Sequence, residues 1–303
     1  MALDQNLLAE VGVYEATIRT QARRVAESVG VDGEMRRTSA HRAKSPIDYM
    51  RYAEFGAVLS GLKLKPGSRV LDAGGPQWLT FALAARNPDV QFQYINYADY
   101  EVQPFERIRS ELGLDNLTIS KEDLRQLSFP DESFDEIFSI SVLEHVYPEE
   151  GGDALALSEI KRILKQGGSV ILTTPCKEKP NVVYVYGDVY ERTAAQQDKQ
   201  FYAREYSAHT LGQLLDKTRY ENADVAYISE IPSLLSIDYL EWGPMRGKPL
   251  AKLLLRLIRT FARISGLPIE RTLAASKLSI SSAEAPRLVN AVIQMRKAIH
   301  ANP

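Results

Sequence analysis

The sequence predicts an α/β fold built on a parallel β-sheet. Between residues 68 and 174, short apolar segments such as SRVLDAG and FDEIFSISV alternate with segments of helical periodicity such as WLTFALAAR and ALALSEIKRILK. This alternation is typical of βαβ units, whose right-handed crossovers place helices on both faces of the sheet. The length of 303 residues, with 45% hydrophobic and 25% charged residues, is ordinary for a folded protein of this class.

The individual elements follow from periodicity and from turn residues. We expect a helix from about residue 3 to 29, then the polar stretch MRRTSAHRAKSP, then a second helix from about 47 to 62. Five strands are predicted next in SRVLDAG, VQFQYINY, LTISKED, FDEIFSISV and SVILTTP, with helices in WLTFALAAR, FERIRSELG and ALALSEIKRILK. Two final strands are predicted in ADVAYISEI and LVNAVIQMRK.

Charge and cysteine content narrow the class of protein. The formal net charge of -2 gives no overall field that would attract nucleic acid, so no nucleic-acid partner is expected. Cys176 is the single cysteine, which rules out an intrachain disulfide and suits a reducing cytoplasm. We also expect no signal peptide and no membrane span, because no sufficiently long apolar run occurs.

The first predicted strand ends in a glycine-containing turn, VLDAGG, from Val70 to Gly75. In parallel sheets, ligands bind at the carboxyl ends of the strands, and glycine lets the backbone approach a ligand closely. The next helix would add free backbone amides at its N-terminus. Taken alone, the segment could also be an ordinary turn.

Further motifs occur in a defined order after this turn. They are Asp123, LSFPDESFD from Leu127 to Asp135, and RILKQGG from Arg162 to Gly168. Together with VLDAGG, this order resembles the type-11 class I methyltransferases over roughly residues 60 to 225. The resemblance implies a Rossmann-like class I methyltransferase sheet and S-adenosylmethionine as the cofactor.

The resemblance also implies positions for the cofactor. Asp72 and Gly74 would face its methionine end, Asp123 would accept a hydrogen bond from the adenine amino group, and Leu124 would donate its amide to the ring. Ser139 and Ser141 would end the fourth strand below the sulfonium. The complete set of expected cofactor-binding residues is Asp72, Ala73, Gly74, Gly75, Asn96, Tyr97, Asp123, Leu124 and Ser141.

Two departures from the family pattern stand out. The second and third family glycines fall on Pro76 and Trp78, or on Gly75 and Gln77 if one residue is deleted; proline removes an amide donor and tryptophan is bulky. The acid that binds the ribose would fall near Ile95 or Asn96, neither of which is acidic, and an amide cannot accept from both hydroxyls as a carboxylate does. Asp99 is the alternative if the second strand ends later.

His145 is the candidate general base. It follows the fourth strand in Leu143-Glu144-His145, and a neutral imidazole can accept the proton of an acceptor hydroxyl. The alternative is a histidine that caps a helix or packs near the cofactor. The strand ends carry no carboxylate cluster for a metal, which favours metal-independent O-methylation and leaves N- and C-methylation open.

A tyrosine-rich segment follows the fifth strand, and the resemblance implies that this region forms the acceptor pocket or its lid. Its candidate substrate-binding residues are Tyr184, Tyr186 and Tyr206. Tyrosines suit ring-shaped polar acceptors such as sugars. They also commonly pack a loop onto a core, and this alternative is equally consistent with the sequence.

The segment KPLAKLLLRLIRTFARISG predicts an amphipathic helix at about 250–265. Lys252, Arg256, Arg259 and Arg263 would share one face, with leucines, isoleucines and a phenylalanine over the rest. The pattern fits a helix at a membrane interface, and the expected location is the cytoplasm, peripheral at the inner face of the membrane. The alternative is a helix packed on the domain with a solvated basic stripe.

These features predict an N-terminal helical cap at 1–62 and a methyltransferase domain at 63–303, with a helical insertion at about 240–282 before the last strand. The predicted function is methyl transfer from S-adenosylmethionine to a small-molecule acceptor, such as a hydroxyl of a sugar or lipid-linked compound. The alternative is a non-enzymatic scaffold of the same fold at a membrane surface or on a protein partner, in which Pro76, Trp78 and Asn96 mark a lost cofactor site. A nicotinamide-dependent oxidoreductase is disfavoured, because the G-x-G-x-x-G fingerprint is missing.

Overall fold

The computed structural model describes residues 3–220, 223–241, 245–265, 268–282 and 287–298, with the backbone alone at 262–265. Its internal contacts divide the chain into two units. One unit contains residues 1–60 and 226–289, and the other contains residues 61–225 and 290–303. The domain boundary expected at residue 62 stays a prediction.

The second unit carries the parallel sheet. Its strands are β1 (Arg69–Asp72), β2 (Gln91–Asn96), β3 (Leu117–Lys121), β4 (Phe134–Ile140), β5 (Leu164–Pro175) and most of β10 (Leu288–Arg296). They pair in the order β3-β2-β1-β4-β5-β10, in which only β10 runs antiparallel to its neighbour β5. The predicted α/β class and Rossmann-like sheet are confirmed.

The strand order determines where a ligand would bind. From β1 the chain moves outward to β2 and β3, and then returns to the other side of β1 as β4. The strand order therefore reverses between β1 and β4, and loops diverge there at the carboxyl ends of the strands. Both strands are buried over most of their length, and their apolar side chains lie in the core.

Helices connect the strands of this unit. They are α4 (Gln77–Arg86), α5 (Asp99–Leu112), α6 (Gly152–Ile163) and α7 (Ala208–Thr218). Gly113 ends α5 with φ +67°, a backbone conformation that glycine adopts without strain. Ser207 caps α7, and its hydroxyl accepts from the Thr210 amide at 3.2 Å.

The tyrosine-rich segment forms an antiparallel hairpin of β6 (Asn181–Tyr186) and β7 (Lys199–Glu205). These strands were not predicted from the sequence, in which the segment stands out only by its tyrosines. Its first strand, NVVYVY, is rich in β-branched and aromatic residues, which favour a pleated, half-buried surface.

The other unit is mainly helical. It contains α1 (Gln5–Glu27), α2 (Gly33–Lys44), α3 (Arg51–Gly61), α8 (Ile237–Glu241), α9 (Pro249–Ser265) and α10 (Ile269–Lys277), with β8 (Ala223–Glu230) paired antiparallel to β9 (Leu278–Ser281). Only the first three residues of β8 and the last residue of α3 fall in the sheet-bearing unit. The helix α2 replaces the polar connection expected there.

A buried ionic cluster lies inside this helical unit. Glu230 is 3% exposed and accepts a hydrogen bond from the Tyr49 hydroxyl at 2.9 Å. Arg287 lies 3.5 Å from Glu230 and 2.6 Å from Asp238. Burial raises the pKa of Glu230 to about 7, since desolvation and the neighbouring Asp238 outweigh the attraction of Arg287.

The described residues form neither a membrane-spanning helix nor a metal site. None of the helices in the described ranges is both long enough and apolar enough to cross a membrane. Likewise, no three histidine, cysteine, aspartate or glutamate side chains in those ranges come together in a way that could hold a metal ion.

Candidate active site

The β1 strand delivers a buried carboxyl group to the point where the strand order reverses. Asp72 is 1% exposed, and its Oδ2 accepts a hydrogen bond from the Thr80 hydroxyl. Its Oδ1 has no hydrogen-bond partner within the described part of the chain. Burial raises the pKa of Asp72 to about 7, although the Thr80 hydrogen bond acts in the opposite direction.

The turn after Asp72 has little space for side chains. Gly74 has φ +77°, and a Cβ there would lie 3.4 Å from the Ile95 carbonyl oxygen and 3.5 Å from Val142 side-chain carbons. A Cβ on Gly75 would lie 3.2 Å from Asp72 Oδ1. Ala73 is fully buried, and its amide donates to the Phe138 carbonyl at 2.8 Å. The turn thus lies directly between the ends of β2 and β4.

The two unusual residues of this turn are accommodated without filling it. Pro76 precedes the first residue of α4 with φ -65°, its natural value. The Trp78 side chain is 6% exposed and packs edge-to-face on Phe81, with 5.5 Å between ring centroids. Its bulk is therefore part of the core.

At the end of β2, the side chain of Asn96 forms hydrogen bonds with neighbouring residues of the chain. Its Nδ2 donates to Glu101 Oε2 at 2.6 Å and to the Tyr94 hydroxyl at 3.2 Å, and its Oδ1 accepts from the Ala98 amide at 3.0 Å. The Tyr94 hydroxyl donates in turn to the Gly75 carbonyl at 3.0 Å. This chain of hydrogen bonds connects the end of β2 to the turn after β1.

The neighbours of Asn96 have different surroundings. Tyr97 is 39% exposed. The Asp99 side chain is 61% exposed and accepts from Lys121 Nζ at 2.8 Å. Asp99 therefore faces solvent and a lysine.

After β3, Asp123 and Leu124 form a tight turn in which the Gln126 amide donates to the Asp123 carbonyl at 2.9 Å. The Asp123 carboxylate accepts from Arg125 Nε at 2.9 Å and from the Arg125 amide at 2.9 Å. Although partial burial raises the pKa of Asp123, these hydrogen bonds outweigh it and leave the pKa below its ordinary value. Leu124 is half-buried.

The end of β4 positions the candidate base. Ser139 donates through its hydroxyl to the Ala73 carbonyl at 3.1 Å, and the Ser141 amide donates to the Thr173 carbonyl at 3.0 Å. Ser141 has φ +54°, a strained value for a residue with a side chain. A single 3₁₀ turn, Leu143–His145, follows directly.

The His145 ring is held from two sides. Its Nδ1 lies 2.8 Å from the Tyr202 carbonyl oxygen, and its Nε2 lies 3.8 Å from Glu144 Oε1. The rings of Tyr202 and Tyr190 contact it edge-on, at centroid distances of 4.8 and 5.7 Å. Glu144 is 2% exposed and accepts a hydrogen bond from the Thr174 hydroxyl at 3.1 Å.

The three tyrosines predicted to bind substrate lie in different environments. Tyr184 donates through its hydroxyl to Glu149 at 2.6 Å, and Tyr186 is 64% exposed. Tyr206 is buried and donates to Asp153 at 2.9 Å. The structure instead brings Tyr190 and Tyr202 against His145, a placement that depends on hairpin pairing and that no local pattern indicated.

The loop of the hairpin contacts the end of β3 and the start of α5. Lys121 Nζ lies 2.8 Å from Asp99 and 2.7 Å from Glu191, and Glu191 also accepts from the Asp99 amide at 2.8 Å. Glu101 and Tyr100 both lie close enough to raise the pKa of Tyr190, after the larger effect of its burial. The hairpin loop therefore covers the edge where the candidate residues converge.

The chain is similar to known proteins over part of its length. Residues 71–172 match the family model described as "Methyltransferase domain". Sterol 24-C-methyltransferase of Pneumocystis carinii is 33% identical over 123 residues, which are 39% of this chain and 30% of that protein. Sterol 24-C-methyltransferase of Yarrowia lipolytica is 34% identical over 106 residues, which are 35% of this chain and 27% of that protein.

The chain thus matches less than a third of the length of these relatives. Among solved structures, the [4+2]-cyclase SpnF has a TM-score of 0.51 and 19% sequence identity, with 84% of each chain covered. At that identity the likeness concerns the fold alone.

Proposed function

We propose that this chain, whose residues 71–172 are a class I methyltransferase domain with S-adenosylmethionine as cofactor, transfers a methyl group to a hydroxyl group of a small molecule. The observation that supports the O-directed reaction is the orientation of His145. A carbonyl oxygen accepts hydrogen bonds only, so the contact with Tyr202 at 2.8 Å places the proton of a neutral ring on Nδ1. Nε2 is then the atom that can accept a proton.

The site has the features that the cofactor requires. The narrow turn at Gly74 and Gly75 permits close backbone approach, and the unpartnered Oδ1 of buried Asp72 suits an ammonium group. Asp72 and the two glycines would hold the methionine end, and Asp123 and Leu124 would hold the adenine. Tyr97 and the end of β2 lie in sequence between the residues proposed for the methionine end and those proposed for the adenine. When bound, S-adenosylmethionine supplies an electrophilic methyl group.

Residues of this chain would accept the proton of the acceptor hydroxyl and stabilise the resulting charge. An acceptor hydroxyl that takes the methyl group must lose its proton, and His145 Nε2 would accept it. The resulting imidazolium would be stabilised by the buried Glu144 carboxylate, 3.8 Å away. Thr174 donates to Glu144 and holds that carboxylate in place. We propose Tyr190 and Tyr202, together with the predicted Tyr184 and Tyr186, as tyrosines that bind the acceptor. Tyr206, also predicted to bind substrate, is buried and donates to Asp153, so we propose a structural role for it.

A second candidate is C-methylation of an alkene in a sterol-like lipid. The identity of 33% and 34% with two sterol 24-C-methyltransferases favours it. In that reaction the methyl carbon bonds to an alkene carbon, and positive charge develops on the acceptor. Glu144 and the tyrosine rings would stabilise that charge, and His145 would remove the proton that is lost from carbon.

The two candidates are separated by labelling. S-adenosylmethionine with a carbon-13 methyl group is incubated with sugar, lipid-linked sugar and sterol acceptors, and the product is examined by NMR. We expect an O-methyl resonance, and a rate reduced by about 10²–10⁴-fold in His145→Ala, the usual effect of removing a general base. His209→Ala, on an exposed histidine, is the matched control. A C-methyl product would refute O-methylation, and an unaltered rate in His145→Ala would exclude His145 as the base.

We further propose that α9 contacts a membrane surface. Leu250, Leu253, Leu257 and Phe261 are each about half exposed, between 49% and 58%, and recur every three or four residues. Lys252, Arg256 and Arg259 are exposed on an adjacent face, and Arg259 is paired with Glu241 at 2.8 Å. The Arg263 side chain lies outside the described residues. An exposed apolar stripe beside cationic side chains suits an anionic lipid interface, such as the inner face of a cell membrane.

Cosedimentation with lipid vesicles tests this contact. We expect binding to vesicles that contain phosphatidylserine and weaker binding to pure phosphatidylcholine. Leu257→Glu should abolish binding, whereas Leu155→Glu, on a leucine of similar exposure (51%) in α6, should not. Equal binding by both variants would contradict the proposal.

A further inference from the structure

We propose that Glu101 is the carboxylate that binds the ribose hydroxyls of S-adenosylmethionine, and that Asn96 positions it. This inference rests on the proposed function, because it concerns the cofactor site of the same domain. It assigns the ribose contact to a residue in the first turn of α5, outside the strand where the acid was expected.

The position of Glu101 follows from a chain of hydrogen bonds. Its Oε2 accepts from Asn96 Nδ2 at 2.6 Å, and Asn96 Nδ2 also donates to the Tyr94 hydroxyl at 3.2 Å. That hydroxyl donates to the Gly75 carbonyl at 3.0 Å. The Glu101 carboxylate is thereby tied to the turn after β1 and held at the carboxyl edge of the sheet.

The chemistry of the side chains suits Glu101 for binding the ribose and Asn96 for positioning Glu101. The Asn96 carbonyl is used by the Ala98 amide at 3.0 Å, and its amino group is used by Glu101 and Tyr94. The amide therefore has little capacity left for a diol. The Glu101 carboxylate has two acceptor oxygens, of which Oε2 accepts from Asn96, and a carboxylate can accept from two vicinal hydroxyls.

The electrostatic environment agrees with this assignment. Glu101 is half-buried, and its pKa is raised by desolvation, which the Asn96 hydrogen bond only partly offsets. Hydroxyl donors from a ligand would add favourable hydrogen bonds to the ionised group. The alternative acid, Asp99, is already engaged by Lys121 and has a side chain that is 61% exposed.

The test is calorimetric titration at about pH 8, where carboxylates are ionised. The ligands are S-adenosylhomocysteine and its analogue with a 2′,3′-dideoxyribose, which lacks the proposed partners. The variants are Glu101→Gln, the matched control Asp99→Asn, and the double variant Asn96→Asp with Glu101→Gln. The double variant exchanges the carboxylate and the amide between the two positions.

We expect Glu101→Gln to weaken S-adenosylhomocysteine binding roughly 10- to 100-fold, the usual size of a lost charge-assisted contact. The dideoxy analogue should bind the wild type and Glu101→Gln equally, which also shows that the variant is folded. Asp99→Asn should change neither affinity, and the double variant should regain much of the lost affinity.

Three outcomes would overturn the assignment. The first is an unchanged affinity of Glu101→Gln for S-adenosylhomocysteine. The second is an equal loss of affinity of Glu101→Gln for S-adenosylhomocysteine and for the dideoxy analogue. The third is a loss of S-adenosylhomocysteine affinity in Asp99→Asn as large as that in Glu101→Gln. In each of these cases wild-type binding still supports the proposed function. Absence of binding by the wild type would overturn the proposed function and this assignment together.

Discussion

Asp72 offers a quantitative test of the electrostatics at the centre of the site. Its pKa is raised from 3.8 to about 7 because the carboxyl group is buried. A raised pKa means that the folded state holds a proton that the unfolded state has released, so stability falls as the pH rises from about 4 to about 7 and is then constant. A shift of about 3 units, at roughly 1.4 kcal/mol each, amounts to about 4 kcal/mol.

Replacement of Asp72 by Asn removes this titration while keeping the shape and an acceptor for Thr80. The free energy of unfolding is measured by urea denaturation at several pH values between about 5 and 8 for both proteins. We expect the wild type to lose stability relative to Asp72→Asn by about 1.4 kcal/mol per pH unit up to about pH 7, with a constant difference above it. Parallel profiles across the range would refute the reasoning, because they would mean that Asp72 is ionised alike in both states.

Three further predictions follow from named contacts. Wild-type affinity for S-adenosylmethionine should increase from about pH 6 to about pH 8 as Asp72 ionises, whereas Asp72→Asn should show no such trend in calorimetric titrations. Tyr206→Phe removes the hydrogen bond to Asp153 and should lower the free energy of unfolding by about 1–2 kcal/mol, with little change in the rate of methyl transfer. A lower rate of methyl transfer at unchanged stability would instead place Tyr206 in the acceptor site. Lys121→Met removes the ion pairs to Asp99 and Glu191 and should speed amide hydrogen exchange in the hairpin loop at 187–198 without affecting global stability. Unchanged exchange would show that these ion pairs do not hold the hairpin loop in place.

The sheet could be predicted because its strands carry their own signals. β1, β4 and β5 are buried over most of their length and each carries a cluster of apolar residues, whereas only half of the residues of β2 are buried; segments of helical periodicity separate these strands. The order of strands also brought the predicted residues of β1, β3 and β4 to one edge.

Some elements were missed because their stabilising contacts are not visible in local hydrophobic patterns. The helix α2 is polar throughout, with only Met35 and Ser39 buried. Its one clear signal was Asp32, whose carboxylate accepts from the Glu34 and Met35 amides at 3.0 and 2.8 Å as an N-cap. The tyrosine hairpin had a composition signal in its first strand, NVVYVY, but its pairing with β7 across the connection at 187–198 is not visible in a local pattern.

Within the site, the surroundings of two side chains differ from those expected from the local sequence. Trp78 was expected to obstruct the glycine turn, yet its side chain lies in the core against Phe81. Asn96 was compared with an expected acid, whereas the carboxylate nearest to it belongs to Glu101, five residues later. Both outcomes depend on the direction of a side chain, which residue spacing alone does not determine.

Titration of the chain with S-adenosylhomocysteine tests the central claim most directly, because every proposal about the site requires a cofactor at the turn after β1. We predict saturable one-to-one binding in the micromolar range, lost in Gly74→Val. In that variant the turn would need a side chain at φ +77°, with a Cβ 3.4 Å from the Ile95 carbonyl oxygen. No binding at millimolar ligand, or undiminished binding by Gly74→Val, would contradict the account.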